Sequence, residues 1–297
     1  MAFETTKSVL VTGASSGIGN ITAVYLAMQG YTVLAGVRKD ADSQALNNLG
    51  LNNIKPLCPL DLTISDQILS ATNLIKEQVR THQIPPLYSI INIAGGGNIS
   101  PIELLDISNF REELEKRIVA PVMLLQELIP LLRETKGKIL WIATPALFPV
   151  PWITDIHAPD FSVNYLARTL NLELLPEGIR NILIRCGGIK TPSVARSEKE
   201  LAVRLGKMAK EKSDIYKARL EKVLKDQVKF DSKRTEPIEV AKLIRKVLLV
   251  KNSKTRYQIG HMSKLGALLE NLPQSWVDSI MAKRERKSML VTSKNKP

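Results

Sequence analysis

The residues whose types and spacing point most directly to chemistry are Thr12-Gly13-Ala14-Ser15-Ser16-Gly17-Ile18-Gly19. They follow an apolar run, Val9-Leu10-Val11, that predicts a buried strand. They precede Ile21 to Ala27, whose apolar spacing predicts a helix. A strand that breaks at glycines and restarts as a helix leaves backbone N–H groups free at the positive helix end, which suits a pyrophosphate. Gly13 would permit the turn, Gly17 the approach of the ligand, and Gly19 the packing of helix on strand. A second strand, Tyr31 to Val37, ends in Arg38-Lys39. In a dinucleotide fold that end meets the adenosine ribose, where a carboxylate accepts the 2′-hydroxyl and a cation accommodates a 2′-phosphate. The chain supplies Arg38 and omits the carboxylate at Val37, which favours NADP(H) over NAD(H). A Val37→Asp change is expected to invert the preference.

The elements that must hold these residues alternate. After the second strand come a short helix over 41–49, a third strand over 55–60, Asp61-Leu62-Thr63, and a helix over 65–80. A fourth strand over 87–91 ends in Asn92-Ile93-Ala94-Gly95-Gly96-Gly97, and one long helix is expected over 109–134, carrying Arg117 and Pro121. A fifth strand over 138–143 places Thr144 at its end. A proline-punctuated loop is expected over 145–159, with Asp155 solvated in it, then a helix from about Asp160, which would be its N-cap. A sixth strand over 179–185 leads to Cys186-Gly187-Gly188-Ile189-Lys190-Thr191. Charged helices over 197–229 follow, then a helix over 236–250, a strand over 257–259 and an amphipathic helix over 265–281. Apolar strands alternating with helices of this length make an α/β fold, a parallel sheet covered on both faces. Ligands then collect at the carboxyl ends of the strands.

The totals bound the function. With 297 residues and no Pro/Gly/Ser-rich linker, one domain over 1–297 is expected. Cys58 and Cys186 make no disulfide framework and read as small core residues; with three histidines, no metal-ligand spacing appears. No signal peptide or membrane span is visible, which points to the cytoplasm. The net charge is +13, and ten of those charges fall in 197–234 and 282–297. No nucleic-acid motif accompanies them, so nucleic acid is not expected as a partner. A basic, unstructured tail over 282–297 is expected, and the basic segments leave peripheral membrane contact open.

Taken together, these motifs resemble the classical short-chain dehydrogenase/reductase family, closest to its steroid- and retinol-dehydrogenase-like members. Thr12 to Gly19 is similar to its T-G-x-x-x-G-x-G, so that Gly13, Ser15, Ser16, Gly17, Ile18 and Gly19 would hold the cofactor. Asp61-Leu62 resembles the pair that contacts adenine, and Asn92, Ala94 and Gly95 look like its N-x-A-G. Ile189 and Thr191 resemble the loop that holds the nicotinamide carboxamide. The resemblance implies a Rossmann-type doubly wound sheet, a helical lid inserted over 193–235, a small-molecule substrate, and relatives that often pair as dimers.

The family's catalytic Asn, Ser, Tyr and Lys are not reproduced. Matching 115–121 puts Arg117 at the Asn position, and Thr144 stands at the Ser position with its hydroxyl kept. Counting back from Leu170 to Leu174 puts Ile156 and Asp160 at Tyr and Lys; a slip of one residue puts His157 and Phe161 there. Without a positioned acid, ketone reduction loses roughly 10²–10⁴-fold. The expected site is therefore Arg117, Thr144, Asp155 and Asp160, and the expected substrate is apolar or cationic. An iminium ion fits, because hydride alone neutralises it, and some fungal alkaloid-pathway members look similar in having Arg and Asp there. An activated carbonyl, a cofactor-binding pseudoenzyme, and a cyclase or isomerase are the other expectations.

Overall fold

The computed structural model describes residues 6–144, 149–192, 203, 215, 216, 223, 230 and 232–293. Seven strands form one parallel sheet: β1 (Ser8–Val11), β2 (Thr32–Gly36), β3 (Ile54–Leu57), β4 (Leu87–Asn92), β5 (Lys138–Ala143), β6 (Arg180–Cys186) and β7 (Arg256–Ile259). Their order across the sheet is β3-β2-β1-β4-β5-β6-β7. It reverses between β1 and β4, which opens a crevice beyond their carboxyl ends.

Successive strand side chains point to opposite faces, and here both faces are apolar. Val9 and Val11 join one core, built with Ala23 and Leu26 of α1 (Gly17–Met28) and Val240 and Ile244 of α7 (Pro237–Leu249). Leu10 joins the other, with Ile68 of α3 (Ser65–Arg80), Leu124 and Leu128 of α5 (Ala120–Thr135) and Val163 of α6 (Thr154–Leu174). The short α2 (Asp40–Asn47) contributes Leu46 to the first core. Cys186 is buried there, whereas Cys58, expected in the core, is part-exposed with its thiol toward Asp40.

Four expectations change. The single helix over 109–134 is instead α4 (Ile107–Leu114) and α5 joined by a π turn over Glu115–Val119. Pro121 has no N–H for the Arg117 carbonyl four residues back, and its ring crowds that carbonyl. The Ala120 N–H reaches Glu115, five back, instead. The proline-punctuated loop does not extend to 159: α6 begins at Thr154 and takes in Asp155, His157 and Pro159. A proline near a helix start deletes one bond, here to the Asp155 carbonyl, and the rest of the turn forms.

Asp160 is consequently six residues inside α6 rather than its N-cap. At the carboxyl terminus, the one helix expected over 265–281 is α8 (Ser263–Leu269) and α9 (Gln274–Ser293), so 282–293 continues a helix where an unstructured tail is expected. Most of the expected lid over 193–235 lies outside the described residues. Among the described residues no helix is long and apolar enough to cross a membrane.

Candidate active site

The glycine run lies at the carboxyl end of β1, beside the crevice. Gly13 has φ +68°, and a Cβ there would meet the Ala94 Cα at 2.9 Å. Gly17 has φ +56° and faces the Thr191 methyl, 3.5 Å from where its Cβ would sit. A Cβ on Gly19 would fall 2.0 Å from the Gly13 carbonyl oxygen, so the third glycine lets the helix close on its own loop rather than on the strand. Ser16 is the N-cap of α1 and its side chain caps nothing, which leaves the first-turn N–H groups of Ile18 and Gly19 for a ligand. Thr12 ties β1 to β4: its hydroxyl accepts from the Ile93 and Ala94 N–H groups at 3.0 and 3.3 Å.

The other expected cofactor residues gather around the same crevice. Arg38 is more than half exposed, with a guanidinium nitrogen 3.9 Å from Asp61. Burial works against the Asp61 carboxylate, yet bonds from the Thr63 N–H and hydroxyl, with Arg38 and Lys116 nearby, hold its pKa below the usual value. Leu62 is buried. Asn92 is 7% exposed, and neither atom of its amide group has a protein partner among the described residues. A buried amide without partners is costly unless a ligand or water meets it. Ile189 is buried and paired in a bridge with Thr235. Glycines where a Cβ cannot go, an open helix start and an unmet amide fit a dinucleotide.

The reactive side is built from charges. Arg117 stands on the π turn, and its guanidinium is ion-paired with Asp160 of α6; their side chains are 9% and 1% exposed. The same guanidinium donates to the carbonyls of Ile156 at 3.2 Å and Gly96 at 3.4 Å. Its stem packs on Gly95, where a Cβ would lie 2.7 Å from the Arg117 Cδ. The second Asp160 oxygen accepts the Thr144 N–H at 2.9 Å. Arg117, Asp160 and Thr144 are thus brought together, and the Thr144 hydroxyl has no partner among the described residues. Burial pulls the Arg117 pKa down to about 10 against the pull of Glu113 and Asp155, so it stays charged at neutral pH.

Asp155 is not solvated in a loop. It is fully buried, and a carboxylate oxygen accepts the Asn98 N–H at 2.7 Å, with the Asn109 side chain at 3.5 Å. It therefore clamps the loop after β4 rather than facing solvent. Glu113 grips the same loop through the Gly96 N–H at 2.8 Å, and pairs with Lys116 at 2.9 Å.

Sequence reasoning passed over Glu113 and Lys116 as site residues. Their signal was the i, i+3 spacing of opposite charges beside Arg117. Burial, then the Arg117 charge, push the His157 pKa down to about 4, so its ring is neutral at pH 7. Lys116, Arg117, Asn92, Thr12, Trp141 and Val163 line a cavity of about 10 Å³, the space of one water.

Tyr88 donates to Leu248, Tyr216 to Glu103, and Tyr165 is 69% exposed on α6.

The fold and this crevice define a class of protein. Residues 7–202 match the short chain dehydrogenase family, and the chain belongs to it. It is 28% identical over 262 residues to a 3-amino-tetrahydro-pyrrolizinone reductase of Xenorhabdus hominickii, covering 88% of this chain and 89% of the relative. It is 31% identical over 195 residues to the 11-beta-hydroxysteroid dehydrogenase type 2 of Homo sapiens, covering 64% of this chain and 47% of that protein. Its fold is similar to that of a short chain dehydrogenase from Burkholderia cenocepacia J2315 in complex with NADP, with TM-score 0.68 at 19% identity, over 95% of this chain and 99% of that one.

Proposed function

We propose that this chain is an NADP(H)-dependent reductase that delivers hydride to a cationic carbon–nitrogen double bond, an iminium ion, without a tyrosine acid. The observation that carries this reading is the buried Arg117–Asp160 pair, with Asp160 on the Thr144 N–H at the end of β5. Around it stand three carboxylates, Glu113, Asp155 and Asp160, against two cations, Lys116 and Arg117. That surplus of one negative charge among mostly buried side chains favours a cation and disfavours a developing oxyanion. The Xenorhabdus relative, which spans most of this chain, is named for reduction of a nitrogen heterocycle, and the Burkholderia structure holds NADP.

The residues then take these parts. Gly13, Ser15, Ser16, Gly17, Ile18 and Gly19 would hold the pyrophosphate. Arg38 would take the 2′-phosphate, Asp61 and Leu62 the adenine, Asn92, Ala94 and Gly95 the ribose side, and Ile189 and Thr191 the carboxamide. NADPH, when bound, supplies the hydride. Asp160 fixes Arg117 and places negative charge beside the cation, while the Thr144 hydroxyl orients the substrate. Asp155 is a positioning residue, acting through the loop after β4. Hydride transfer to an iminium carbon leaves a neutral amine, so no side chain has to give up a proton. Free Cys58 and Cys186 suit a reducing, cytoplasmic compartment.

A second reading, a cofactor-holding protein without turnover, is favoured by intact cofactor motifs in a chain where no tyrosine has a lysine four residues on. Incubation with NADPH and a panel of ketones and cyclic iminium ions separates the readings. Oxidation of NADPH is expected with iminium ions and not with simple ketones, falling at least about tenfold in Asp160→Asn. Tight NADPH binding with no oxidation by any substrate would leave the second reading. Conversion without oxidation would mean a cyclase or isomerase.

A further inference from the structure

The carboxyl-terminal helices turn their apolar side chains outward. In α8, Ser263 and Gly266 are buried while Leu265 and Leu268 are exposed, the reverse of a helix packed by its apolar stripe. In α9, Val277 is buried, whereas Trp276 and Ile280, one turn apart, are exposed. Met262, just before α8, is exposed as well. Only 270–273 separates the two helices, and α8 packs beside the edge strand β7.

Charge surrounds them with one dominant sign. Lys264, Lys283, Arg284 and Arg286 are exposed, and Lys283 and Arg284 lie one turn beyond Ile280. Of the acidic residues there, Glu270 is turned inward, 11% exposed and ion-paired with the buried Arg185, Glu285 is part-buried, and Asp278 is exposed between Trp276 and Ile280, so exposed cations outnumber exposed carboxylates four to one over 262–286. A row of leucine, isoleucine and tryptophan flanked by cations matches a bilayer whose surface is anionic and whose interface accepts an indole ring.

We propose that the α8–α9 end is a docking surface for an anionic phospholipid bilayer, with Leu265, Leu268, Trp276 and Ile280 entering the interface and Lys264, Lys283 and Arg284 meeting the headgroups. The chain docks there and does not span. This surface is independent of the crevice at β1 and β4.

Co-sedimentation of the full chain with large vesicles tests this. Phosphatidylcholine alone is compared with phosphatidylcholine containing roughly one-third phosphatidylserine. Partition is expected to be at least about tenfold stronger on the anionic vesicles and to be lost in about 1 M salt. Leu268→Asp and Trp276→Asp should each reduce it several-fold, and Lys283→Glu with Arg284→Glu should remove the preference for anionic lipid. Circular dichroism and the thermal midpoint check that each variant is folded. Equal partition to both vesicles, no partition, or partition unchanged in folded Leu268→Asp and Trp276→Asp would overturn the proposal. So would a concentration-dependent dimer, broken by those same changes, with no vesicle binding.

Discussion

The two halves of the crevice are held by different forces. At β1 the glycine loop is a matter of backbone: positive φ at Gly13 and Gly17, and no room for a Cβ at Gly19. At β5 and the π turn the geometry is a matter of charge, with Arg117 held by Asp160 and the loop after β4 clamped by Glu113 and Asp155. The first half tolerates little substitution but needs no partner residues. The second can be rebuilt, provided that whatever replaces one ion accounts for the other.

The largest effect should come from breaking the backbone half. Gly19→Ala forces a methyl group onto the Gly13 carbonyl, and NADPH affinity is expected to fall by about three orders of magnitude, about 4 kcal/mol, in a fluorescence titration. Next is the charge half. Asp160→Ala leaves Arg117 buried without its ion partner, and urea unfolding should show a loss of about 3–5 kcal/mol. The double change Arg117→Leu with Asp160→Leu should recover most of that stability and none of the turnover. A double variant no more stable than Asp160→Ala would mean that the pair is not an electrostatic unit.

His157 sharpens the comparison through pH. Its pKa falls from about 6.5 unfolded to about 4 folded, so the unfolded chain binds the extra proton first. Stability is therefore full above about pH 6.5 and is lost as the pH drops toward 4, by about 3 kcal/mol. Unfolding curves of His157→Phe should lack that part of the acid sensitivity. The smallest effect belongs to Arg38, exposed at the rim of the backbone half. Arg38→Ala should weaken NADPH about tenfold and leave NADH unchanged. Val37→Asp is a poorer probe than the sequence suggests, since Val37 is 2% exposed and a carboxylate there would be buried in the core.

Much of this was legible in one dimension. The glycine spacing and the apolar alternation placed β1 to β7 and the turn between β1 and α1, because local conformation and periodicity write themselves into neighbouring positions. The prolines misled: Pro159 read as part of a loop although it lies within α6, and Pro121 gave no hint that it would turn one helix into two joined by a π turn.

What the sequence determined by itself was the sheet, its glycine loop and the absence of a Tyr-x-x-x-Lys pair. Only the tertiary structure decided that Arg117 pairs with Asp160, and that Asp155 grips a loop instead of facing solvent. The reason is distance along the chain. Turns and alternation depend on adjacent residues, whereas a buried charge takes its partner from whichever element packs beside it, here 43 positions away between Arg117 and Asp160.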